Sequence, residues 1–425
     1  MRAMKDSGIE WIGEIPESWS INKTLRIFKV IGSGTTPKSG YEEYYNGNIH
    51  WIQSGDINGG IIQETKVRVT QYAIENIAAL KVYEKPFIIM AMYGASIGNI
   101  SVAAIDGCVN QACCVFKDSN IDFNFSFYCL RAAKFFLVWN AVGGGQPNIS
   151  QETLKQLWLP IPSLPEQQAI STYLDNQCAH IDNIIEKTKA SIEEYKKLRQ
   201  AVITQAVTKG VRGERAMKDT GFDWLLQIPD DWTMERGKNL FFETNNRSDS
   251  GEEELLTVSQ YTGVTPRSQK NVNMFEAETL EGYKICEIGD IAANTMWLWA
   301  GAIGVSEYYG VISPSYNIYR QGKDAYNSKY LDYLLRIPPI VQLFASLSTG
   351  IRASRLRLYP EQFLNIYYPL PPLDEQAEIV AYLQEKIVEV DKLITKKEQF
   401  LTELESYKKS MIYEYVTGKK EVPSA

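Results

Sequence analysis

The sequence predicts an α+β protein built by internal duplication: two mixed α/β globular domains and two long helices packed as an antiparallel coiled coil. Three observations carry this reading. Residues 4–19, MKDSGIEWIGEIPESW, recur at 217–232 as MKDTGFDWLLQIPDDW, with Met4, Lys5, Asp6, Gly8, Trp11, Ile15, Pro16 and Trp19 identical in the second copy. Pro160-Ile-Pro-Ser-Leu-Pro-Glu-Gln167 recurs as Pro369-Leu-Pro-Pro-Leu-Asp-Glu-Gln376. Behind each of these proline-rich junctions runs a heptad pattern about four repeats long, the signature of a helix that packs on another helix.

The elements follow in order. The first globular domain occupies 1–164. Phe87 to Met90, after Pro86, reads as a strand, and Phe125 to Val138 as a helix. The first long helix is assigned to 165–212. Its seam holds Leu174, Ile181, Ile185, Ile192 and Tyr195, with Thr188 and Arg199 as polar interruptions. The second globular domain, 213–372, repeats the plan with a strand at Val311-Ile312 and a helix from Tyr330 to Leu347. The second long helix, 373–420, carries Leu383, Ile387, Val390, Ile394, Leu401 and Leu404, interrupted by Lys397 and Lys408. Residues 421–425 form a tail. Proline suits a helix's first turn but not its interior, so the two proline clusters mark the domain-to-helix junctions. Glu166 and Glu375 then stand where negative charge favours a helix N-terminus. A helix from Glu166 to Val207 would span roughly 63 Å at 1.5 Å per residue.

Composition narrows the function. The chain has 425 residues, a formal charge of −7 and two histidines. Ile291 to Val305, interrupted by Asn294, is the longest weakly polar run and falls short of the roughly 20 apolar residues a spanning helix needs. The N-terminus shows no apolar signal core, and the expected location is cytoplasmic. Six cysteines without a CxxC spacing read as buried, reduced thiols. His50 and His180 lie near no cysteine pair, which disfavours a zinc site. Gly32-Ser-Gly-Thr-Thr-Pro37 departs from GxGxxG, and no GxxxxGK[ST] phosphate loop occurs. Nothing resembling a duplicated catalytic set appears, so recognition is favoured over catalysis.

At this point the motifs take on a family likeness. The order domain, helix, domain, helix, each helix entered through Pro-x-Pro-x-Leu-x-Glu-Gln, resembles the specificity (S) subunit of Type I restriction-modification systems. So do Gly32-Ser-Gly-Thr-Thr-Pro-Lys38, Trp51-Ile-Gln-Ser-Gly-Asp-Ile57, Gly94-Ala-Ser-Ile-Gly98 and Gly145-Gln-Pro-Asn-Ile149. The resemblance implies that each globular part is a target-recognition domain reading one half of a bipartite site in double-stranded DNA. It implies that the helices set the spacer and dock two modification (methyltransferase) subunits, which restriction (motor-nuclease) subunits join. The chain would be non-catalytic and bind no cofactor itself. S-adenosylmethionine for adenine-N6 methylation would lie on the methyltransferase partner, and ATP and Mg on the restriction partner. The middles of the two copies differ (GSGTTPK against Phe242-Glu-Thr-Asn-Asn-Arg-Ser248), so the expected target is asymmetric.

DNA readout calls for amides, hydroxyls and cations on loops. In the first half the candidates are Ser33, Thr35, Thr36, Lys38, Ser54, Asp56, Tyr93, Ser96, Gln146 and Asn148. In the second they are Ser259, Gln260, Lys270, Arg352, Arg355 and Arg357. Trp297 and Tyr316 rank lower, Trp297 fitting a core aromatic better than a DNA contact. The negative net charge does not oppose this reading, because Arg320 to Pro360 carries seven basic residues against Asp324 and Asp332. A duplicated protein–protein adaptor with no DNA role is the competing function.

Overall fold

The structure is a computed structural model that describes residues 2–141, 147–270, 279–350 and 356–423. The chain divides into two units, residues 1–188 with 399–425, and residues 189–398.

In the first unit the strands used below are β1 (Phe28–Gly32), β2 (Tyr45–Ile52), β3 (Ile61–Ile62), β4 (Phe87–Ala91), β5 (Ile100–Ala103), β6 (Gly107–Val109) and β7 (Cys113–Ser119). Five of them form a sheet in the order β1-β7-β4-β5-β3. The central strand β4, FIIMA, is buried on both faces, which explains its unbroken apolar run. β6 pairs with β2 in a separate, parallel ladder. The expected helix from Phe125 to Val138 is two helices, Phe123–Ala132 and Lys134–Trp139. At the junction Ala133 keeps right-handed helical geometry (φ −69°, ψ −10°), with its N–H shared between Cys129 O and Arg131 O.

The second unit repeats the plan with β8 (Phe241–Thr244), β9 (Leu256–Ser259), β10 (Ile291–Ala293), β11 (Ile303–Val305), β12 (Gly310–Ile312) and β13 (Asn317–Gln321). Four strands form a sheet in the order β8-β13-β10-β11. The registers match those of the first unit. Ile88 faces Phe116 and Val102; Ile291 faces Tyr319 and Val305, each partner 203 positions further along. The helix expected over Tyr330 to Leu347 is also interrupted, into Ser328–Leu334 and Pro338–Leu347. Pro338 and Pro339 cause the break, because a residue preceding proline is driven out of helical geometry; Ile337 is extended at ψ 146°.

Two long helices, Leu164–Lys209 and Leu373–Val416, complete the protein. Each unit contains part of both, running antiparallel. In the first unit Tyr173 meets Tyr415, with ring centroids 4.7 Å apart, and Asp182 pairs with Lys408. In the second, Lys397 lies 5.6 Å from the Tyr195 ring centre and Arg199 pairs with Asp391 at 3.0 Å. The seam positions are buried or half-buried throughout: Leu174, Ile181, Ile185 with Leu401 and Leu404, and Ile192, Tyr195 with Leu383, Ile387, Val390 and Ile394. The polar interruptions Arg199 and Lys408 therefore carry matched ion pairs to Asp391 and Asp182.

The repeated Glu-Gln does more than complement a helix dipole. Glu166 accepts from Trp19 Nε1 (2.9 Å) and pairs with Arg2, whose guanidinium lies 5.0 Å from the Trp19 ring centre. Glu375 accepts from Trp232 Nε1 (2.9 Å) and from Arg215 Nη1 (3.0 Å), and Arg215 lies 5.5 Å from the Trp232 ring. Gln167 accepts from Asp122 N (2.8 Å) and donates to Pro162 O (2.9 Å). Gln376 does the same with Asn327 N (2.8 Å) and Pro371 O (2.9 Å). Asp122 and Asn327 are the N-caps of Phe123–Ala132 and Ser328–Leu334. Each Glu-Gln dipeptide thus fastens a long helix to the tryptophan of the repeated N-terminal motif and to the helix that follows the sheet.

Candidate nucleic-acid interface

In the first unit the turns that follow β1, β2, β4 and β6 converge. Asn110 N donates to Ile52 O (3.0 Å), Met92 N to Ala112 O (2.7 Å) and Ile149 N to Met92 O (2.8 Å). Tyr93 and Asn148 form a β-bridge. The Gly32–Lys38 loop is drawn in by Tyr83 OH, which donates to Ser33 O (3.3 Å), Trp51 Nε1 to Thr35 O (3.2 Å) and Tyr45 OH to Pro37 O (2.5 Å). Gly34 fits because it has no Cβ: one would stand 1.8 Å from Val109 O. Thr36 Oγ1 then donates to Gln111 Oε1 at 2.5 Å, and Gln111 also bonds the Tyr93 hydroxyl, countering the burial that raises its pKa.

Ser33, Thr35, Thr36, Tyr93 and Asn148 are thereby brought to one cluster of turns. Lys38 extends from the same loop, exposed, 5.8 Å from the Tyr41 ring centre. Ser54 and Asp56 lie in the turn after β2, where Asp56 Oδ2 accepts from Gln53 N (2.9 Å) and closes a capping box. That carboxylate is engaged in holding its own turn. Ser96 accepts Asn99 N through its carbonyl (2.8 Å) in the turn after β4. Gln146 lies outside the described residues. Sequence reasoning missed Gln111; the signal available was its place directly behind β6, in a polar Asn110-Gln111 pair.

In the second unit the corresponding turns again meet. Asn294 Nδ2 donates to Tyr316 OH (2.9 Å) and Thr295 Oγ1 to Ser315 O (2.7 Å), joining the turns after β10 and β12. Ser259 caps the turn after β9 by accepting Thr262 N (3.1 Å), with Gln260 exposed beside it and Tyr261 83% exposed. Lys270 is half-buried on a separate segment, and burial holds its ammonium below the usual lysine pKa. Arg357 is exposed, its backbone exchanging two hydrogen bonds with Thr349 (3.0 Å each). Arg352 and Arg355 lie outside the described residues. Trp297 departs from the core reading: it is 52% exposed and stacks on Trp299. The reason is its neighbour, since Leu298 takes the fully buried position of this turn.

The groups on both sets of turns are hydroxyls, amides, exposed aromatics and cations, a recognition inventory suited to base edges and phosphates. Among the described residues, no group of three or more His, Cys, Asp or Glu side chains is placed to hold a metal ion, and no helix is long and apolar enough to cross a membrane.

Known proteins resemble the chain in both sequence and fold. Residues 16–194 match the Type I restriction modification DNA specificity domain. The chain is 23% identical over 422 residues to the Type I restriction enzyme MjaVIII specificity subunit of Methanocaldococcus jannaschii, covering 95% of this chain and 93% of the relative. It is 28% identical over 194 residues to the MjaIX specificity subunit of the same organism, covering 44% of this chain and 43% of that one. Among solved structures, a chain from a study of complex assembly in the type I R-M system superposes with a TM-score of 0.68 at 16% identity, covering 96% of this chain and 99% of the other. The HsdS subunit of Thermoanaerobacter tengcongensis superposes with a TM-score of 0.51, at 16% identity, covering 96% and 98%. With the domain matched over residues 16–194, relatives aligned over nearly the whole chain and a shared fold, the chain is similar along its length to specificity subunits of Type I restriction-modification systems.

Proposed function

We propose that this chain is the DNA-reading subunit of a Type I restriction-modification complex, and that each unit reads one half of an asymmetric bipartite site. The observation that carries the reading is the pair of convergent turn clusters. They stand on sheets of matching register, yet one presents Thr36, Tyr93 and Gln111 and the other Tyr316 and Trp297 over a buried Asn294. One scaffold with two different sets of recognition groups suits two different half-sites.

In this reading the candidate residues of both units contact DNA, the paired helices set the spacer, and two methyltransferase subunits dock on the chain. The partners carry the chemistry: S-adenosylmethionine on the methyltransferase, ATP and Mg on the restriction subunits. The acidic total charge fits a subunit whose electrostatic grip on DNA is supplied in large part by those partners.

The test replaces residues 20–155 with the corresponding segment of another specificity subunit and sequences the methylated bases made by the assembled complex. One half-site should change and the other persist; an unaltered methylation pattern refutes the assignment. The adaptor alternative is addressed by DNA binding of the same complex. Its affinity should fall linearly with salt on logarithmic axes, and no binding at any salt concentration would favour the adaptor.

A further inference from the structure

Among the described residues, each unit carries a stacked aromatic pair beside its recognition turns, both rings exposed in the first unit and Trp297 exposed over a half-buried Trp299 in the second. In the first it is Phe135 and Trp139, 77% and 78% exposed, with ring centroids 6.0 Å apart and planes 24° from parallel. In the second it is Trp297 and Trp299, 5.8 Å apart at 25°. The two pairs occupy one place in the fold but ride on different elements. The turn after β4 ends at Gly98, which packs on Lys134 and Val138 of the helix Lys134–Trp139; the turn after β10 ends at Gly301, which packs on Val341 of Pro338–Leu347. Gly98 and Gly301 correspond, as do Val138 and Val341, each 203 positions apart. The first unit places its aromatics on the helix side of this contact, where the second has Pro338 and Gln342. The second places them on the turn side, where the first has Gly94 and Ser96.

We propose that these pairs are the apolar contact of each unit with its own DNA half-site, packing on thymine methyl groups and deoxyribose edges beside the hydrogen-bonding turns. The inference rests on the DNA-reading function proposed above. Large exposed aromatics flanked by polar turns mark an interaction surface. What repeats between the units and what does not identifies the occupant. Two copies of the same protein partner would meet the same surface twice, whereas two different half-sites require different surfaces. The carrying element and the ring types are among the features that do not repeat: Phe135 and Trp139 on a helix against Trp297 and Trp299 on a turn.

Continuity points the same way. Tyr93 opens the turn that Gly98 closes, and Asn148, bridged to Tyr93, lies beyond the helix that carries Phe135 and Trp139. Thr295, at the base of the tryptophan turn, is bonded to the turn after β12. On the same helix as the first pair, Lys134 Nζ donates to Asn99 Oδ1 (2.7 Å), tying that helix to the turn after β4, and burial, with lesser contributions from Lys409 and Arg131, holds its ammonium below the usual lysine range.

The test uses the full chain in its methyltransferase complex. The variants are Phe135→Ala/Trp139→Ala and Trp297→Ala/Trp299→Ala, with Trp139→Phe and Trp297→Phe as conservative controls. Each double variant should assemble normally, lose about 10-fold in affinity for the cognate site, and relax the methylated motif only in the half-site of its own unit. The conservative variants should recover most of the affinity, which separates contact from misfolding. Unchanged affinity and motif in both double variants would overturn the proposal. So would loss of the methyltransferase from the complex, which would make the pairs a protein interface. A wild-type complex that binds no specific sequence would instead overturn the DNA-reading function itself.

Discussion

At the scale of single residues, the same motif sits in two different environments. Glu375 is fully buried, whereas the Glu166 side chain is 30% exposed. Removing one partner of a buried ion pair leaves the other desolvated and uncompensated. Glu375→Ala should therefore cost about 3 kcal/mol, and Glu166→Ala about 1 kcal/mol, because water reaches Arg2. Urea unfolding of the two variants checks the order. Both glutamates were visible in the sequence as a repeated dipeptide at a helix start. Their tryptophan and arginine partners were not, since these lie 147 and 164 residues away for Glu166 and only the fold brings them close. The cysteines were readable from context alone. All six are buried, and burial pushes the thiols of Cys108, Cys114 and Cys286 up to about 12. The native chain should thus react negligibly with a thiol reagent at pH 8, and all six thiols should react after denaturation. Linkage gives the sign of the pH effect. Below the ordinary thiol pKa of 9 both states are protonated and pH changes nothing. Above it the unfolded state alone loses protons, so stability falls as pH rises from 9 toward 12.

At the scale of elements, the long helices were the most legible part of the chain, because a heptad stripe is a strong and redundant signal. Their register is set by two related ion pairs, Asp182–Lys408 and Arg199–Asp391, each partner 209 positions from its counterpart. Lys408 is nearly buried while Asp182 is mostly exposed. A double-mutant cycle of Asp182→Asn and Lys408→Met, read by urea unfolding, should give a coupling of about 1 kcal/mol. The sheets were much less legible. Phe87–Ala91 and Ile291–Ala293 share position and register, yet FIIMA and IAA show no repeat to the eye. A buried strand asks only for apolar residues that fill space, so its sequence drifts freely while its pairing persists. The turns at the strand ends are less legible again. They carry the candidate recognition groups, and a hydrogen bond such as Thr36 to Gln111 joins segments 75 residues apart. The helix break at Ile337 shows the other limit of periodicity, since an apolar stripe continues across an interruption that Pro338 imposes on the residue before it.

At the scale of the whole molecule, sequence order reads domain, helix, domain, helix, while contacts group the chain differently: each unit holds the start of one long helix and the end of the other. If the helices set the spacer, lengthening both by one heptad keeps the seam in phase and adds about 10 Å. The methylated motif should then keep both half-sites and gain about three base pairs between them, measured by sequencing modified bases. An unchanged spacer would remove the helices from that role. The overall charge said little about this architecture, because the groups that matter locally are a small share of the total. In the second unit, Arg215 bonds the end of the first long helix at Lys209 O (3.3 Å), and residues 210–214 join the two. In the first unit, Arg2 bonds Gly418 O (3.2 Å) at the end of the second long helix and pairs with Glu421 (3.5 Å). The two junctions are thus built alike. A circular permutant closed between residues 423 and 2 by a short Gly/Ser linker, and opened between 211 and 214, should fold with the same helix content by circular dichroism and a melting temperature within a few degrees of the parent.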